Sequence, residues 1–366
     1  MSYKEKILFI FGTRPEIIRM SSIINKAKNF CDLKILNTSQ NFDNNLNKIF
    51  LNNFKIKVDY SFKNTSSNFI DFFGNSILNI NLILEDFTPD KVVVLGDTNS
   101  ALLSYFFKRL NIPIFHIEAG NRSFDERIPE ETNRKIIDHF SDYNFVYSER
   151  ARQNLILENI SPNRIFLIGS PLNEVFNDNI SSIKNSQVLR KLHLKKNSYF
   201  LISFHRYENI NDDIVIKKFK DLIGKLNKTF NKKIVISLHP SLKSKIDLSK
   251  NYKNNSDILF LNPFSYFDYC KLQINSFFTL SDSGSISEEC SILKFRALSI
   301  RYSIERQEAT ESGFTPIVGL DIDKILNLIN FHDSKFSKLD NSSPKEYKIN
   351  NTSKRFLNIL LGSNYK

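Results

Sequence analysis

The sequence predicts an α/β protein built from two doubly wound parallel sheets. Three observations carry this prediction. Short apolar runs alternate with helical patterns, the alternation stops in a polar passage at 177–198 and then restarts, and 366 residues with 41% hydrophobic content suffice for two cores. Because ligands of open α/β sheets bind beyond the carboxyl ends of the strands, we expect the functional site in a cleft between the domains.

Each apolar run is interpreted as a strand because it is short and bounded by turn-forming residues. In the first half the predicted strands are 7–11, 92–95, 112–117, 145–147 and 165–168. In the second half they are 199–204, 234–238, 258–261, 277–280 and 297–300. Two amphipathic helices follow, at 321–331 and 352–361. We place the first domain at 1–172 and the second at 173–344.

Composition and charge limit the classes of function that this sequence can have. Lys and Arg exceed Asp and Glu by 51 to 39, a net charge of +12 that suits anionic ligands. The lysines are scattered and no arginine-rich tract is interleaved with aromatics, so we expect no nucleic-acid partner. Cys31, Cys270 and Cys290 are odd in number and lack metal-ligand spacing, which predicts neither disulfides nor a metal site. No apolar stretch reaches about 18 residues, so we expect a cytoplasmic protein without membrane contact.

The densest charge cluster is HIEAGNRSFDERIPEETNR at 116–134, between a predicted strand and a helix beginning near Pro129. Carboxylates so placed can move protons, and guanidiniums can hold anions. Glu118, Glu130 and Arg134 are therefore candidates, together with Asp97 at the end of the strand 92–95. The alternatives are an ordinary i,i+4 pair of Glu130 with Arg134, and an Asp97 that only caps the next helix.

The first strand runs into Gly12-Thr13-Arg14-Pro15-Glu16. Gly12 permits a tight turn, Pro15 favours a helix start, and Arg14 with the free amides forms an anion or carbonyl site. The segment is neither a P-loop nor a GxGxxG motif, and we expect no nicotinamide cofactor. A plain strand-to-helix turn is the alternative.

In the second half, the strand 199–204 is followed by His205, Arg206 and Glu208, and a strand-end histidine can donate to phosphate or exchange a proton. The strand 277–280 leads into SDSGSISEE, where small residues at a helix start offer amides to a diphosphate and Glu289 can accept from a ribose diol. Further charge comes from Arg301, Glu305 and Arg306, for which a surface salt-bridge cluster is the alternative.

Seven segments in order resemble the non-hydrolysing UDP-N-acetylglucosamine 2-epimerase family: GTRPE, LGDTNS, HIEAGNR, PEETNRKIIDH, FHRYEN, SDSGSISEE and the ERQE segment. Four longer segments are similar in sequence to the branch of the family that makes UDP-N-acetyl-L-fucosamine: GTRPEIIRMSSI, EAGNRSFDERIPEETNRKIIDH, GSPLNEV and SDSGSISEECSIL. The branch acting on N-acetylglucosamine would carry a lysine at Arg19 and a Gly-Leu-Arg-Thr-like sequence after the EA pair. Three positions depart from the family pattern: Tyr207, Ser285 and Gln307.

The resemblance implies two Rossmann-like domains of the glycosyltransferase-B type, with the last helix, within 345–366, packing back on the first domain. It implies C2 epimerisation of a UDP-linked 2-acetamido sugar through elimination and re-addition of UDP, without a cofactor, by a homodimer serving surface polysaccharide synthesis. The implied catalytic residues are Asp97, Glu118, Glu130, Arg134 and His205. The implied substrate contacts are Arg14, Arg19, Arg206, Glu208, Ser283, Gly284, Ser285, Glu289, Arg301, Glu305 and Arg306.

Three other functions compete with this interpretation. One is an epimerase of the same family that acts on UDP-N-acetylglucosamine. The second is a glycosyltransferase on the same scaffold, since a fold does not fix a function. The third is a non-catalytic basic binding protein. The cluster of three carboxylates argues against a transferase, because a transferase needs a base for its acceptor and not two proton-handling groups flanking C2.

Overall fold

The computed structural model describes residues 4–40, 44–62, 68–204, 212–238, 255–333 and 343–363. The chain divides into two compact units, Met1–Asp178 with Lys345–Lys366, and Asn179–Pro344. Each unit contains its own parallel sheet, so the predicted α/β class with two doubly wound sheets is confirmed.

The first unit is built on a sheet whose described strands all run parallel in the order β3-β2-β1-β4-β5-β6-β7. The strands are β1 Lys6–Phe11, β2 Asp32–Asn37, β3 Tyr60–Ser61, β4 Lys91–Leu95, β5 Ile114–Ile117, β6 Tyr143–Val146 and β7 Ile165–Leu167. Two of them, β2 and β3, are absent from the sequence prediction, because β2 begins with alternating charged residues and β3 has only two residues.

Helices cover this sheet: α1 Arg14–Ala27, α2 Asn44–Asn53, α3 Phe69–Asp86, α4 Asn99–Leu102, α5 Ser104–Arg109, α6 Pro129–Phe140, α7 Glu149–Leu157 and α8 Pro171–Asp178. Buried side chains of β1 and β4, such as Leu8 and Val92, pack against Ile80 and Ile83 of α3. Each fully buried aliphatic side chain of this kind stabilises the fold by about 1.5–3 kcal/mol. The core therefore lies between the sheet and its helices, and the strand ends remain for chemistry.

The second unit repeats the architecture with the described strand order β10-β9-β8-β11-β12, all parallel. The strands are β8 Tyr199–Phe204, β9 Lys233–Leu238, β10 Ile258–Leu261, β11 Phe278–Ser281 and β12 Ala297–Ser299. The described helices are α9 Ile180–Asn185, α10 Val188–Lys191, α11 Asp213–Phe230, α12 Tyr266–Asn275, α13 Ile286–Leu293, α14 Gln307–Glu311 and α15 Ile322–Asp333.

The last helix, α16 (Thr352–Gly362), belongs to the first unit although it follows the second in sequence. The ring of Phe356 packs edge-on against Phe145 of β6, with the ring centroids 4.7 Å apart. The backbone N–H of Ser353 donates to the Glu174 carboxylate on α8 over 2.7 Å. An aromatic contact and a helix-start hydrogen bond thus hold α16 against the first unit.

The strand order reverses once in each described sheet, between β1 and β4 and between β8 and β11. At such a switch point the connections leave on opposite faces and open a crevice at the carboxyl ends of the strands. We therefore expect the candidate site residues of each unit at its own crevice. Across the described ranges, none of the helices has the length and apolar character needed to span a membrane.

Candidate active site

The turn after β1 is organised by Glu16, a buried residue that the sequence prediction did not include among the site residues. Its Oε2 accepts from the backbone N–H of Gly12 over 3.0 Å, and from the N–H and hydroxyl of Thr13 over 2.7 Å each. Its Oε1 accepts from the hydroxyl of Thr98, after β4, over 2.8 Å. Burial raises the pKa of Glu16 to about 7. The Thr-x-x-Glu spacing of a capping box is the signal that reveals this residue.

Close packing around this turn leaves no room for a side chain at Gly12. A Cβ atom on Gly12 would lie 2.1 Å from the Ser100 hydroxyl oxygen and 2.2 Å from that of Thr38. These two hydroxyls are hydrogen-bonded to each other over 2.6 Å in a buried position. The turns after β1, β2 and β4 are therefore packed together at the first switch point.

The two arginines of α1 have different surroundings. Arg14, at the first helical position, is half-buried, and its guanidinium lies 5.9 Å from the centre of the Phe50 ring. Arg19 is buried, with its Nε 3.4 Å from Oε2 of Glu118 and its guanidinium 5.7 Å from the centre of the Tyr147 ring. Arg19 thus pairs with one of the predicted carboxylates, a contact between distant parts of the sequence.

Asp97 and Glu118 follow neighbouring strands. Leu95 of β4 stands opposite Ile117 of β5 in the parallel ladder, so both carboxylates emerge at the same edge of the sheet. Asp97 receives two hydrogen bonds from Arg134, from Nε over 3.0 Å and from Nη2 over 2.5 Å. The next helix, α4, is capped by Thr98, whose hydroxyl oxygen accepts from the N–H of Ala101. The alternative that Asp97 serves as this cap is therefore wrong.

The adjacent acids Glu130 and Glu131 in the first turn of α6 are not equivalent. Glu130 is exposed, whereas Glu131 is 1% exposed and accepts from the N–H and hydroxyl of Ser123 and the N–H of Phe124 over 2.8–3.1 Å. Arg134 Nη1 lies 2.9 Å from Glu131, so this arginine bridges Glu131 and Asp97. Burial raises the pKa of Glu131, but the bonds from Ser123 and the charge of Arg134 outweigh it and leave the pKa lowered.

Glu118 has a strained backbone. Its φ is +70°, in the left-handed region, which costs a residue with a Cβ about 1–2 kcal/mol. Its Oε1 accepts from the side-chain amide of Asn121 over 3.3 Å. Strain of this kind persists only where the surroundings fix the backbone, and it is concentrated at functional sites. The backbone conformation therefore marks Glu118 independently of its charge.

At the second switch point, the segment between β11 and α13 carries a chain of hydrogen bonds. The hydroxyls of Ser283 and Ser285 lie 2.9 Å apart, and Ser285 donates to Oε1 of Glu289 over 2.7 Å. Gln273 of α12 donates to the other oxygen of Glu289 over 2.5 Å. Ser285 is the N-cap position, but its hydroxyl contacts Glu289 and makes no capping bond. The predicted diphosphate and ribose contacts are thus linked to each other.

Two buried arginines pack against Gly284. Arg301 lies 2.8 Å from Glu305, and Arg306 lies 3.0 Å from Glu305 and 2.6 Å from the buried Glu288. Arg306 also donates to the Gly284 carbonyl over 3.1 Å. A Cβ on Gly284 would lie 2.2 Å from a Glu305 oxygen, so any other residue here would displace the Glu305 carboxylate. The alternative of a surface salt-bridge cluster is wrong, since both arginines are at most 4% exposed.

Several sequence predictions lie beyond what the structure describes. His205, Arg206 and Glu208, together with the departure at Tyr207, lie outside the described residues. The departure at Gln307 is described: it begins α14, directly after the paired Arg306. Glu288, which the sequence prediction omitted, stands three residues after Ser285, so the Ser-x-x-Glu spacing was a visible signal.

Two parallel sheets, each with charged side chains at its switch point, define a two-domain α/β protein of the glycosyltransferase-B type. A family model described as UDP-N-acetylglucosamine 2-epimerase matches residues 24–361. A UDP-N-acetylglucosamine 2-epimerase of Methanocaldococcus jannaschii is 33% identical over 345 residues, covering 88% of this chain and 91% of its own. The chain therefore belongs to the non-hydrolysing UDP-N-acetylglucosamine 2-epimerase family, a family of isomerases.

Solved structures agree with this assignment. A UDP-N-acetylglucosamine 2-epimerase from Rickettsia bellii superposes with a TM-score of 0.90 at 37% identity, covering 98% of this chain and 97% of its own. The Methanocaldococcus jannaschii UDP-GlcNAc 2-epimerase, determined in complex with UDP-GlcNAc and UDP, gives a TM-score of 0.89 at 31% identity, covering 99% of this chain and 100% of its own. The predicted family and fold are confirmed.

Proposed function

We propose that this protein interconverts UDP-2-acetamido-2,6-dideoxy-β-L-talose and UDP-N-acetyl-β-L-fucosamine, inverting C2 of the sugar by eliminating and re-adding UDP. The product is a building block for surface polysaccharide. The observation that carries the proposal is the pair of carboxylates, Asp97 and Glu118, on neighbouring strand ends at the first switch point. Each lies against an arginine, Asp97 against Arg134 and Glu118 against Arg19.

The reaction needs two proton transfers at one carbon. A base takes the proton from C2, the C–H electron pair forms the C1–C2 double bond of a 2-acetamidoglycal, and UDP leaves with the electron pair of the C1–O bond. On return, a diphosphate oxygen bonds to C1 and a second group delivers a proton to C2 from the opposite face. Positioned carboxyl groups contribute about 10²–10⁴-fold to such steps. We assign these transfers to Asp97, Glu118 and Glu130.

The arginines then have a positioning role. Arg134 holds Asp97 through two donors and is itself held by Glu131. Both donors converge on Oδ2 of Asp97, so the guanidinium anchors that oxygen by charge-assisted hydrogen bonds. The carboxylate of Glu131 accepts three hydrogen bonds from Ser123 and Phe124, so it holds the turn in place. This structural role of Glu131 supports Glu130 as the proton-handling member of the pair. His205 is proposed to contact phosphate.

We propose that the second unit binds UDP. The start of α13 supplies Ser283, Gly284 and Ser285 for the diphosphate, and Glu289 for the ribose diol. The positive end of the helix dipole at such a start favours an anion, which supports this assignment. The buried Arg301 and Arg306, both paired with Glu305, place two guanidinium groups beside Gly284, where they can donate to a diphosphate. Arg14 is assigned to the uracil, and Arg206 and Glu208 to the substrate.

Arg19 supports the choice of sugar. We expect a lysine here in the branch acting on N-acetylglucosamine. Lysine is a compact charge on a flexible stem, whereas an arginine presents a planar set of donors. Because Arg19 pairs with Glu118, this exchange alters the surroundings of a proposed proton-handling group. The proposed choice of sugar also agrees with sequence similarity, because the segments around GTRPE, HIEAGNR and SDSGSISEE resemble the fucosamine branch. Conversion of UDP-N-acetylglucosamine is the second candidate, favoured by the names of the relatives.

Kinetics with both substrates test this choice. We expect the 6-deoxy-L-talose sugar nucleotide to be converted with the higher kcat/KM, measured by separating the epimers after reaction. The Arg19→Lys variant is expected to lose part of this preference, while Lys26→Arg, on the same helix but paired with Glu174, serves as the matched control. Turnover of UDP-N-acetylglucosamine alone would contradict the choice of sugar and leave the family reaction intact.

We further propose that the protein is a cytoplasmic homodimer. Its three cysteines are buried and unlinked, which suits a reducing compartment. On α3, Ile70, Leu78 and Leu82 are each more than 60% exposed, and all lie at multiples of four residues along one stripe. An apolar stripe of this kind on a helix is typical of a protein interface, and a two-fold dimer would cover it with its own copy.

A further inference from the structure

An ionic network with a fully buried centre lies next to the segment that carries Glu118. Asp138 of α6 is at its centre, with Oδ1 2.9 Å from Nδ1 of His116 and Oδ2 2.7 Å from Nη1 of Arg122. Arg122 also binds Glu158 through Nε over 2.7 Å and through Nη2 over 2.5 Å. The side chains of His116, Arg122 and Asp138 are 0% exposed, so this network cannot touch a substrate.

His116 extends the network to the residue before Asp97. Its Nε2 lies 2.8 Å from the carbonyl oxygen of Gly96, which can only accept, so this nitrogen carries a proton. Its Nδ1 faces Asp138, whose pKa is lowered although burial raises it, because His116 and Arg122 favour the carboxylate. Both ring nitrogens of His116 thus face oxygen acceptors, so the ring is held between Gly96 and Asp138.

The network also reaches the residues beside Glu118. The N–H of Gly120 donates to both oxygens of Asp138 over 3.2–3.3 Å, and the Gly120 carbonyl accepts from the side chain of Asn154 over 2.9 Å. A Cβ on Gly120 would lie 2.3 Å from the carbonyl oxygen of Ala151, so this turn is packed directly against α7. Gly120 is fixed on both sides, two residues after the strained Glu118.

One carboxylate therefore joins three segments of the site. Through His116 it holds Gly96, the neighbour of Asp97. Through Gly120 and Arg122 it holds the turn after Glu118. It lies itself on α6, the helix that carries Glu130 in its first turn.

We propose that Asp138 and His116 are positioning residues that set the relative placement of the three proton-handling carboxylates. The proposal rests on the epimerase function argued above. The segments that the network connects, at Gly96, at Gly120 and on α6, are the ones that carry Asp97, Glu118 and Glu130. Misplacement of a reacting group by about 1 Å costs on the order of 10²-fold in rate.

The variants Asp138→Asn and His116→Gln test the proposal. We expect each to lower kcat by about 10- to 100-fold while KM and UDP affinity by calorimetry change less than about threefold, because the proposed diphosphate and ribose contacts lie in the other unit. The double variant should lose no more than the worse single variant, since both changes open the same network. If one variant fails to fold, the other still gives the split between kcat and KM.

Asp142→Asn is the matched control. Asp142 accepts from the N–H of Ile114 over 2.9 Å and pairs with Lys108, so it is a well-connected aspartate at the opposite, amino end of β5. We expect this variant to lower the melting temperature and leave kcat near that of the native protein. Native kcat in Asp138→Asn or His116→Gln, or an equal loss of kcat in Asp142→Asn, would overturn the positioning role. Absence of C2 deuterium incorporation in the unmodified protein would instead contradict the epimerase function itself.

Discussion

Replacing Glu16 by Gln provides a sharp test of how the first switch point is held together. Glu16 is 1% exposed and accepts from Gly12, Thr13 and Thr98. Burial nevertheless dominates and raises the pKa from 4.5 to about 7. Glutamine keeps the shape of the side chain and removes the titration, so a comparison over pH isolates the cost of burying the charge.

The sign and size of the expected pH effect follow from the linkage between protonation of Glu16 and folding. Below pH 4.5 the carboxyl is protonated in both the folded and unfolded states, and it contributes no pH dependence. Between pH 4.5 and about 7 the unfolded state releases its proton while the folded state keeps it, so the free energy of unfolding falls as pH rises. At 1.36 kcal/mol per pKa unit, the total loss for Glu16 is roughly 3 kcal/mol, complete above about pH 7.

The assay is urea unfolding of the protein and the Glu16→Gln variant at pH 4.5, 6 and 8. The stability of the variant relative to the unmodified protein should rise by roughly 3 kcal/mol across this range. Glu131→Gln is the matched control, because the pKa of Glu131 is lowered and its stabilising contribution is therefore lost as pH falls. A constant difference between the protein and Glu16→Gln from pH 4.5 to 8 would refute the reasoning.

Three further predictions concern the site and the surface. Asp97→Asn, Glu118→Gln and Glu130→Gln should each lower turnover by about 10²–10⁴-fold in steady-state kinetics while substrate binding survives; near-native turnover in all three would contradict the mechanism. Glu289→Ala should weaken UDP binding by about 1–3 kcal/mol in calorimetry, because a charge-assisted hydrogen bond is lost; unchanged affinity would place the ribose elsewhere. Leu78→Glu should shift the protein from dimer to monomer in light scattering, and an unchanged mass would exclude the α3 stripe as the interface.

The sequence predicts the sheets well where strands are continuously apolar. Nearly every residue of β4 and β8 is buried, so their sequences are almost continuously apolar, with Lys91 and Ser203 as the exceptions. The strand β2 begins with Asp32 and mixes charged with apolar residues, and β3 is too short to leave a periodic signal. Both lie toward one edge of the sheet, where burial no longer imposes an apolar pattern.

The candidate site is predictable only in part, for a related reason. Asp97 and Glu118 are recognisable because they follow apolar runs, and position along the chain carries that information. The residues that pair with these carboxylates are distant in sequence and reach them only through the tertiary fold. Nothing in the spacing of Arg19 indicates that it pairs with Glu118, and Asp138 looks like a polar residue on the solvent face of an amphipathic helix although it is fully buried.

The central claim is that this protein moves the C2 proton of a UDP-linked 2-acetamido sugar. The most direct measurement is incubation of the purified protein with UDP-2-acetamido-2,6-dideoxy-β-L-talose in D2O, followed by proton NMR of the C2 position. We expect both epimers to appear and the C2 proton signal to disappear from the product, because the proton is exchanged during elimination and re-addition. Epimerisation that retains the C2 proton, or an unchanged sugar nucleotide with this substrate and with UDP-N-acetylglucosamine, would contradict the account.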